Sequence, residues 1–178
     1  MSKSKGNVKY ADELADRFTV DGVRYYALAE MPYGSDGSIT YETVIKRYNT
    51  DLVNNLGNLV KRTLDMQKKY FDRVVQAPSQ KQDIDNELVG TCVQTYEKMT
   101  RAMDTLHIAD ALGYIFDMLS RANKYIDENA PWVLARDEQN APRLACVMYN
   151  LLEALRVSAI LLQPFMPAAC DKIFAQLG

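Results

Sequence analysis

From Thr40 to the end of the chain, apolar residues return at every third or fourth position, and this spacing limits the fold before any motif is considered. Thr40 can cap a helix running from about Tyr41 to about Phe71, with Ile45, Tyr48, Leu52, Leu56, Leu59 and Val60 along one face. A second helix, from about Ile84 to Leu106, carries Leu88, Cys92, Tyr96, Met99 and Met103, and is reached through a connector containing Pro78 and Ser79. Ile108, Leu112, Ile115, Leu119, Ala122 and Ile126 repeat the pattern in a third helix, which Asn129-Ala130-Pro131 stops. A fourth, from about Pro142 to Gln163, holds Leu144, Val147, Met148, Leu151, Leu155 and Leu162; Pro164 and Pro167 end it before a short terminal helix. Nothing in this region alternates with period two. The expectation is an all-α chain with an antiparallel α-helical bundle over residues 39–178.

Residues 1–38 read as a small leading subdomain. Ala11 to Phe18 and Val23 to Ala29 form two short amphipathic helices, parted by Thr19-Val20-Asp21-Gly22. Met31 to Ser38 contains Pro32, Gly34 and Gly37 and is the expected boundary with the bundle. The first seven residues, Met1-Ser2-Lys3-Ser4-Lys5-Gly6-Asn7, have the composition of a loop, and two lysines, two serines and a glycine suit an anionic ligand such as a triphosphate.

Composition narrows the function classes. The 48% apolar and 25% charged residues are ordinary globular values, and a formal charge of −2 argues against a surface that coats polyanions generally, so any nucleic-acid contact is local. Cys92, Cys146 and Cys170 lie far apart and form neither a zinc spacing nor a disulfide framework, so no metal ligands are expected and a reducing, cytoplasmic compartment fits. No apolar run of membrane-spanning length and no signal peptide is read, so no membrane partner is expected. His107, the single histidine, stands between two helices without partners for a metal site or a nucleophilic dyad, which assigns it a structural or surface role.

Two local patterns point to recognition. Asn58, Lys61, Arg62 and Asp65 share a polar face of the first long helix, and the stretch from Tyr41 to Arg73 carries seven basic and four acidic residues. Such a face is also what an ordinary solvated helix presents. Trp132, the single tryptophan, follows Asn129-Ala130-Pro131, a pattern of N-cap and early-turn proline that places the indole at a helix start. There it can stack on an unpaired base or pack as a structural aromatic.

The ordered combination of Met1 to Asn7, Asp21-Gly22-Val23-Arg24-Tyr25-Tyr26, Glu30 to Gly37, Asp51 to Arg62 and Asn123 to Trp132 resembles methionyl-tRNA synthetases of the bacterial type, a class I aminoacyl-tRNA synthetase family. The opening string resembles the KMSKS signature of that class without its leading lysine. The resemblance implies a KMSKS loop that leaves a Rossmann catalytic domain through a connecting subdomain, residues 1–38, into an anticodon-binding bundle. It further implies ATP as the nucleotide substrate, Lys3 stabilising triphosphate charge during adenylate formation, and Ser2 and Ser4 supporting the loop. Methionine tRNA is the implied partner, with Asn58 and Arg62 reading the first base of its CAU anticodon and Trp132 stacking in the same site. Gly22 and Ala11 depart from the usual alanine and proline of the family and are read as scaffold changes. The Rossmann domain, with its HIGH motif and methionine pocket, is not among these 178 residues, so the isolated chain is expected to be inactive in adenylation.

Two rival readings remain. The same bundle serves other class I synthetases, for leucine, isoleucine, valine or cysteine, although the Asn58/Arg62 pair and Ala130-Pro131-Trp132 argue against them. A helical protein-interaction module without an RNA role is the alternative from another class, and it would bury Trp132 and engage Asn58 and Arg62 in protein contacts.

Overall fold

The computed structural model describes residues 10–31 and 39–178. Helix α1 spans Ala11–Glu30 and is followed by α2 (Tyr41–Arg47), a π-helix (Tyr48–Gly57) and α3 (Asn58–Phe71), which together make one continuous rod. Helices α4 (Asp83–Asp104) and α5 (Ile108–Asn129) come next, then the short α6 (Pro131–Leu134), α7 (Ala141–Leu162) and α8 (Pro167–Leu177). The described residues contain no strand, so the all-α expectation holds. The proposed boundary falls mainly on residues 32–38, outside the described residues, as do Ser2, Lys3 and Ser4.

Helices α5 and α7 fill the centre. Leu112, Ile115, Leu119, Ala122 and Ile126 face Met148, Leu151, Leu155 and Leu162, and all are buried. The centrality of α7 corrects one expectation. The stretch Glu138–Leu162 reaches a mean hydropathy of 1.6 and is long and apolar enough to cross a membrane by length and composition. Most of that window lies inside the bundle, so its apolarity is that of a core helix touched on several sides.

The first rod departs from a regular α-helix, and the sequence shows why. Val44, Tyr48, Leu52 and Leu56 step by four, about four residues per turn where an α-helix has about 3.6. The backbone satisfies that slower period by widening, with the Asn58 N–H reaching back to the Val53 carbonyl as well as to Asn55. Gly57 sits where the widened turn closes, and a Cβ there would lie 3.0 Å from the Leu52 carbonyl oxygen. Ile45, expected on the buried stripe, is 45% exposed, while Val44 is 1% exposed. Counting back from Leu52 at an α-helical period selects residue 45; the underwound turn moves the inward position to 44. Tyr96 is likewise exposed, and Thr95 takes its inward place on α4 between Cys92 and Met99.

Helix α1 breaks at Thr19, whose φ of 65° leaves the helical region and whose hydroxyl accepts from the Gly22 N–H at 3.2 Å. The expected pair of short helices is thus present, capped at the break by Thr19. Tyr48 occupies the space where a Gly22 Cβ would lie, 2.8 Å from its ring, which explains the glycine there. Helix α1 lies directly against the bundle. Arg24 donates to the carbonyls of Phe165 and Pro164, each at 3.0 Å, and the Asp21 carboxylate accepts from the Ala169 N–H at 2.6 Å in the first turn of α8. Tyr25 donates to Asp51 at 2.7 Å, while its ring packs 4.9 Å from that of Phe116.

Candidate nucleic-acid interface

The π-helix and α3 meet α5 along a polar seam. The Asn55 amide donates to the Phe116 carbonyl at 3.2 Å and to the Ser120 hydroxyl at 2.8 Å. The Asn123 amide returns to Asn55, at 3.0 Å to its side-chain oxygen and 3.2 Å to its carbonyl. Further along, Arg62 donates to Asp127 at 2.7 Å. Asn58 and Arg62 are one turn apart on α3 and share an outward face, as their spacing predicts. Asn58 is exposed and its side chain has no hydrogen-bond partner among the described residues. Arg62 is partly sunk into the seam, with a side-chain exposure of 30%, so the face is less fully solvated than the sequence suggests. Lys61 points away from the seam and pairs with Asp65 at 2.6 Å.

Trp132 is 43% exposed at the first turn of α6. No hydrogen bond or cation–π contact joins it to Asn58 or Arg62, but Asp127, which holds Arg62, belongs to the same α5 terminus from which α6 departs. The predicted cap is replaced by a different device. Ala130, in the left-handed region at φ 42°, ends α5 and starts α6, and Pro131 takes the first helical position. Asn129 caps nothing; its side chain turns inward to the Tyr125 carbonyl and to Arg143.

Arg143 belongs to a buried polar cluster absent from the sequence reading. It forms a bidentate pair with Asp85, 2.6 Å and 2.8 Å, at side-chain exposures of 4% and 3%. Tyr125 donates to the same carboxylate, as does the Gln82 N–H at 2.8 Å, and Asn150 donates to the Tyr125 oxygen at 3.1 Å. Burial pushes the Asp85 pKa up, but the hydrogen bonds from Arg143, Tyr125 and Gln82 outweigh it and hold the carboxyl well below the usual carboxylate range. Burial raises all three thiols, Cys92 to about 11, Cys170 to about 12 and Cys146 upward with further help from Asp85, which keeps them protonated. His107 is exposed, with a ring nitrogen 2.9 Å from the Thr105 hydroxyl, where it acts at the surface.

Sequence reasoning missed Asn55, Ser120 and Asp127 in the seam. Their signal was present: Ser120, Asn123 and Asp127 recur at three- and four-residue steps on α5, as Asn55, Asn58 and Arg62 do on the rod.

A helical bundle with a helix strapped along its side is the fold of this part of the class I aminoacyl-tRNA synthetases. Residues 75–178 match the family described as the anticodon binding domain of methionyl tRNA ligase, and residues 1–64 match the class I tRNA synthetases (M). The chain is 50% identical over its whole length to the methionine–tRNA ligase of Caldanaerobacter subterraneus subsp. tengcongensis, covering 28% of that protein, and 45% identical to that of Bacillus subtilis, covering 27%. Its fold superposes on Mycobacterium tuberculosis methionyl-tRNA synthetase in complex with methionyl-adenylate with a TM-score of 0.93 at 38% identity, over 100% of this chain and 38% of that one. The chain belongs to the methionyl-tRNA ligase family, with residues 75–178 in its anticodon-binding domain. It spans little more than a quarter of the length of the curated relatives it matches.

Proposed function

We propose that this chain supplies the anticodon-recognising part of a methionyl-tRNA synthetase, with residues 39–178 as the binding bundle and residues 1–38 as the connection to the catalytic machinery. Asn58 and Arg62 read the first base of the CAU anticodon, a cytosine, and Trp132 stacks on an unpaired base of the same loop. The observation that carries the reading is the exposed, single tryptophan at the α5–α6 junction, a short step along the chain from Asp127, whose pair with Arg62 is open to solvent. An exposed aromatic offers about 1–3 kcal/mol of stacking per base. The Asn58 amide, with no partner among the described residues, has both donor and acceptor capacity for a base edge. Asp127 orients the Arg62 guanidinium through one nitrogen and leaves its remaining donors for an incoming base or phosphate. The protein-module alternative loses support because Trp132 is exposed and Asn58 has no partner among the described residues, while the one contact of Arg62 is with Asp127 of this chain.

In the complete enzyme the corresponding reaction is activation of methionine by ATP, releasing pyrophosphate, followed by transfer of methionine to its tRNA in the cytoplasm. Lys3 would stabilise charge on the triphosphate and Ser2 and Ser4 would support the loop, by resemblance to the KMSKS signature. The decisive experiment measures binding of the chain to stem-loops that differ only in the first anticodon base. A CAU stem-loop is expected to bind weakly and with salt dependence, and the preference for it to be lost in Trp132→Ala and Arg62→Ala. Equal affinity for a loop with a changed first base, in low salt, would remove the reading.

A further inference from the structure

Trp132 stands on a helix that cannot hold itself in place. Helix α6 is four residues long, has no side-chain cap, and is entered through a left-handed alanine. A helix this short gains nothing from cooperative hydrogen bonding, so its orientation must come from its attachments. Pro131 is buried at one end of it, Leu134 packs against the core at the other, and the residue before Ala130 is Asn129. The Asn129 side chain is held at both ends. Its amide nitrogen donates to the Tyr125 carbonyl at 2.9 Å, and its oxygen accepts from the Arg143 guanidinium.

That guanidinium is fixed in turn. Both its terminal nitrogens lie on Asp85, and one also donates to the Gln80 carbonyl at 3.2 Å. Asp85 is in the first turn of α4, Arg143 in the first turn of α7, and Asn129 at the last residue of α5. Three helix ends are therefore pinned around one buried ion pair, at the end of the bundle from which α6 departs. Taking a guanidinium and a carboxylate out of water is costly, and hydrophobic residues of similar volume often stabilise a core as well or better. The cluster is thus weak as a device for stability. A planar arginine that bonds a carboxylate with two nitrogens and an amide with one of them fixes direction far better than apolar packing does.

We propose that Asp85, Arg143 and Asn129 form a positioning relay for Trp132: the buried pair fixes Asn129, Asn129 fixes the turn at Ala130, and the turn fixes the indole. Asn129, Arg143 and Asp85 are positioning residues that touch no ligand. The relay deepens the anticodon reading above by making the stacking surface rigid before RNA arrives, which lowers the ordering cost of binding.

Trp132 is the only tryptophan, so its fluorescence reports on the relay without any RNA. In Asn129→Ala, which leaves the Arg143–Asp85 pair intact, the emission anisotropy of Trp132 is expected to fall and acrylamide quenching to rise about twofold, since an α6 that keeps Pro131 and Leu134 but loses the hold on its entry turn samples more orientations. Ile115→Val, a core change of ordinary cost in the middle of α5, controls for general loosening and is expected to leave both readouts unchanged. Arg143→Lys is the second variant: its compact ammonium can still pair with Asp85 but cannot span Asp85 and Asn129 as a planar fork does, so it should loosen the indole as Asn129→Ala does. Wild-type anisotropy and quenching in both variants, or equal loosening in Ile115→Val, would overturn the relay. Binding of a CAU stem-loop forms the separate arm, with about a tenfold loss expected in Asn129→Ala. If the indole loosens but the wild-type chain ignores the stem-loop, the anticodon reading fails and the relay stands as a device for positioning Trp132.

Discussion

Two arginine–aspartate pairs meet at the last turns of α5, and they are built for opposite purposes. Arg143–Asp85 is sealed at 4% and 3% exposure, doubly bonded, and surrounded by donors from Tyr125 and Gln82. Arg62–Asp127 is a single 2.7 Å contact at 30% and 64% exposure. The first cannot exchange partners without opening the bundle, because either charge left alone would be buried without compensation. The second can release its arginine to water or to a ligand at small cost, since exposed pairs contribute only about 0–1 kcal/mol. The same two residue types thus make a fixed frame in one place and a replaceable contact in another, and solvent access is what separates them.

The sharpest way to break this comparison is Arg143→Met, which strands the Asp85 carboxylate. It is expected to cost about 3–5 kcal/mol of stability, read as a shift of the urea midpoint at constant slope. A variant as stable as the parent would show that the sealed pair is no frame at all. Next in size, Trp132→Ala should weaken stem-loop binding by about 1–3 kcal/mol while thermal unfolding barely moves, because a side chain this exposed does little for the core. Binding is read by fluorescence of a labelled stem-loop, and an unchanged affinity would detach the tryptophan from recognition.

Acid titration separates the pairs differently. The folded Asp85 pKa lies below its ordinary value, so its stabilising contribution is complete above about pH 4, the unfolded carboxylate range, and is lost as pH falls toward the folded value. The unfolding free energy should therefore decline on acidification, and Asp85→Asn should flatten that decline; a slope identical to the parent would contradict the assignment. The smallest effect belongs to Asp127→Asn, which should change stability by less than about 1 kcal/mol in a urea titration. A loss as large as that of Arg143→Met would erase the distinction between the two pairs.

Much of this organisation was readable in the sequence, for reasons that also explain what was not. The stripes of α5 and α7 were recovered because both helices are regular and surrounded, so that 3.6-residue periodicity and burial coincide. On the first rod the same reasoning chose Ile45 in place of Val44, since it assumed one period throughout, and on α4 it chose Tyr96 over Thr95 because an aromatic ring reads as core and a hydroxyl as surface. Asn58, Arg62 and Trp132 came from spacing together with family resemblance. Asp85 and Arg143 were invisible: they lie 58 residues apart, and nothing local in either helix distinguishes a charge that is buried and paired from one that faces water. Asn129 resembled a cap because asparagine before Ala-Pro fits that role, and only the position of Arg143 shows that its side chain turns inward.

The π-helix gives the first rod a further property. A single straight α-helix has one phase, and a rod that must serve two sets of neighbours at different angles cannot meet both with it. Upstream of the widening, Thr43 meets Tyr26 at 2.7 Å; downstream, Arg62 meets α5. The wider turns between Tyr48 and Gly57 are a rotational offset that lets each half keep its own partner. The segment therefore sets the angle between the side that grips α1 and the side that presents Asn58 and Arg62, and its length is as much a determinant of the face as the residues on it.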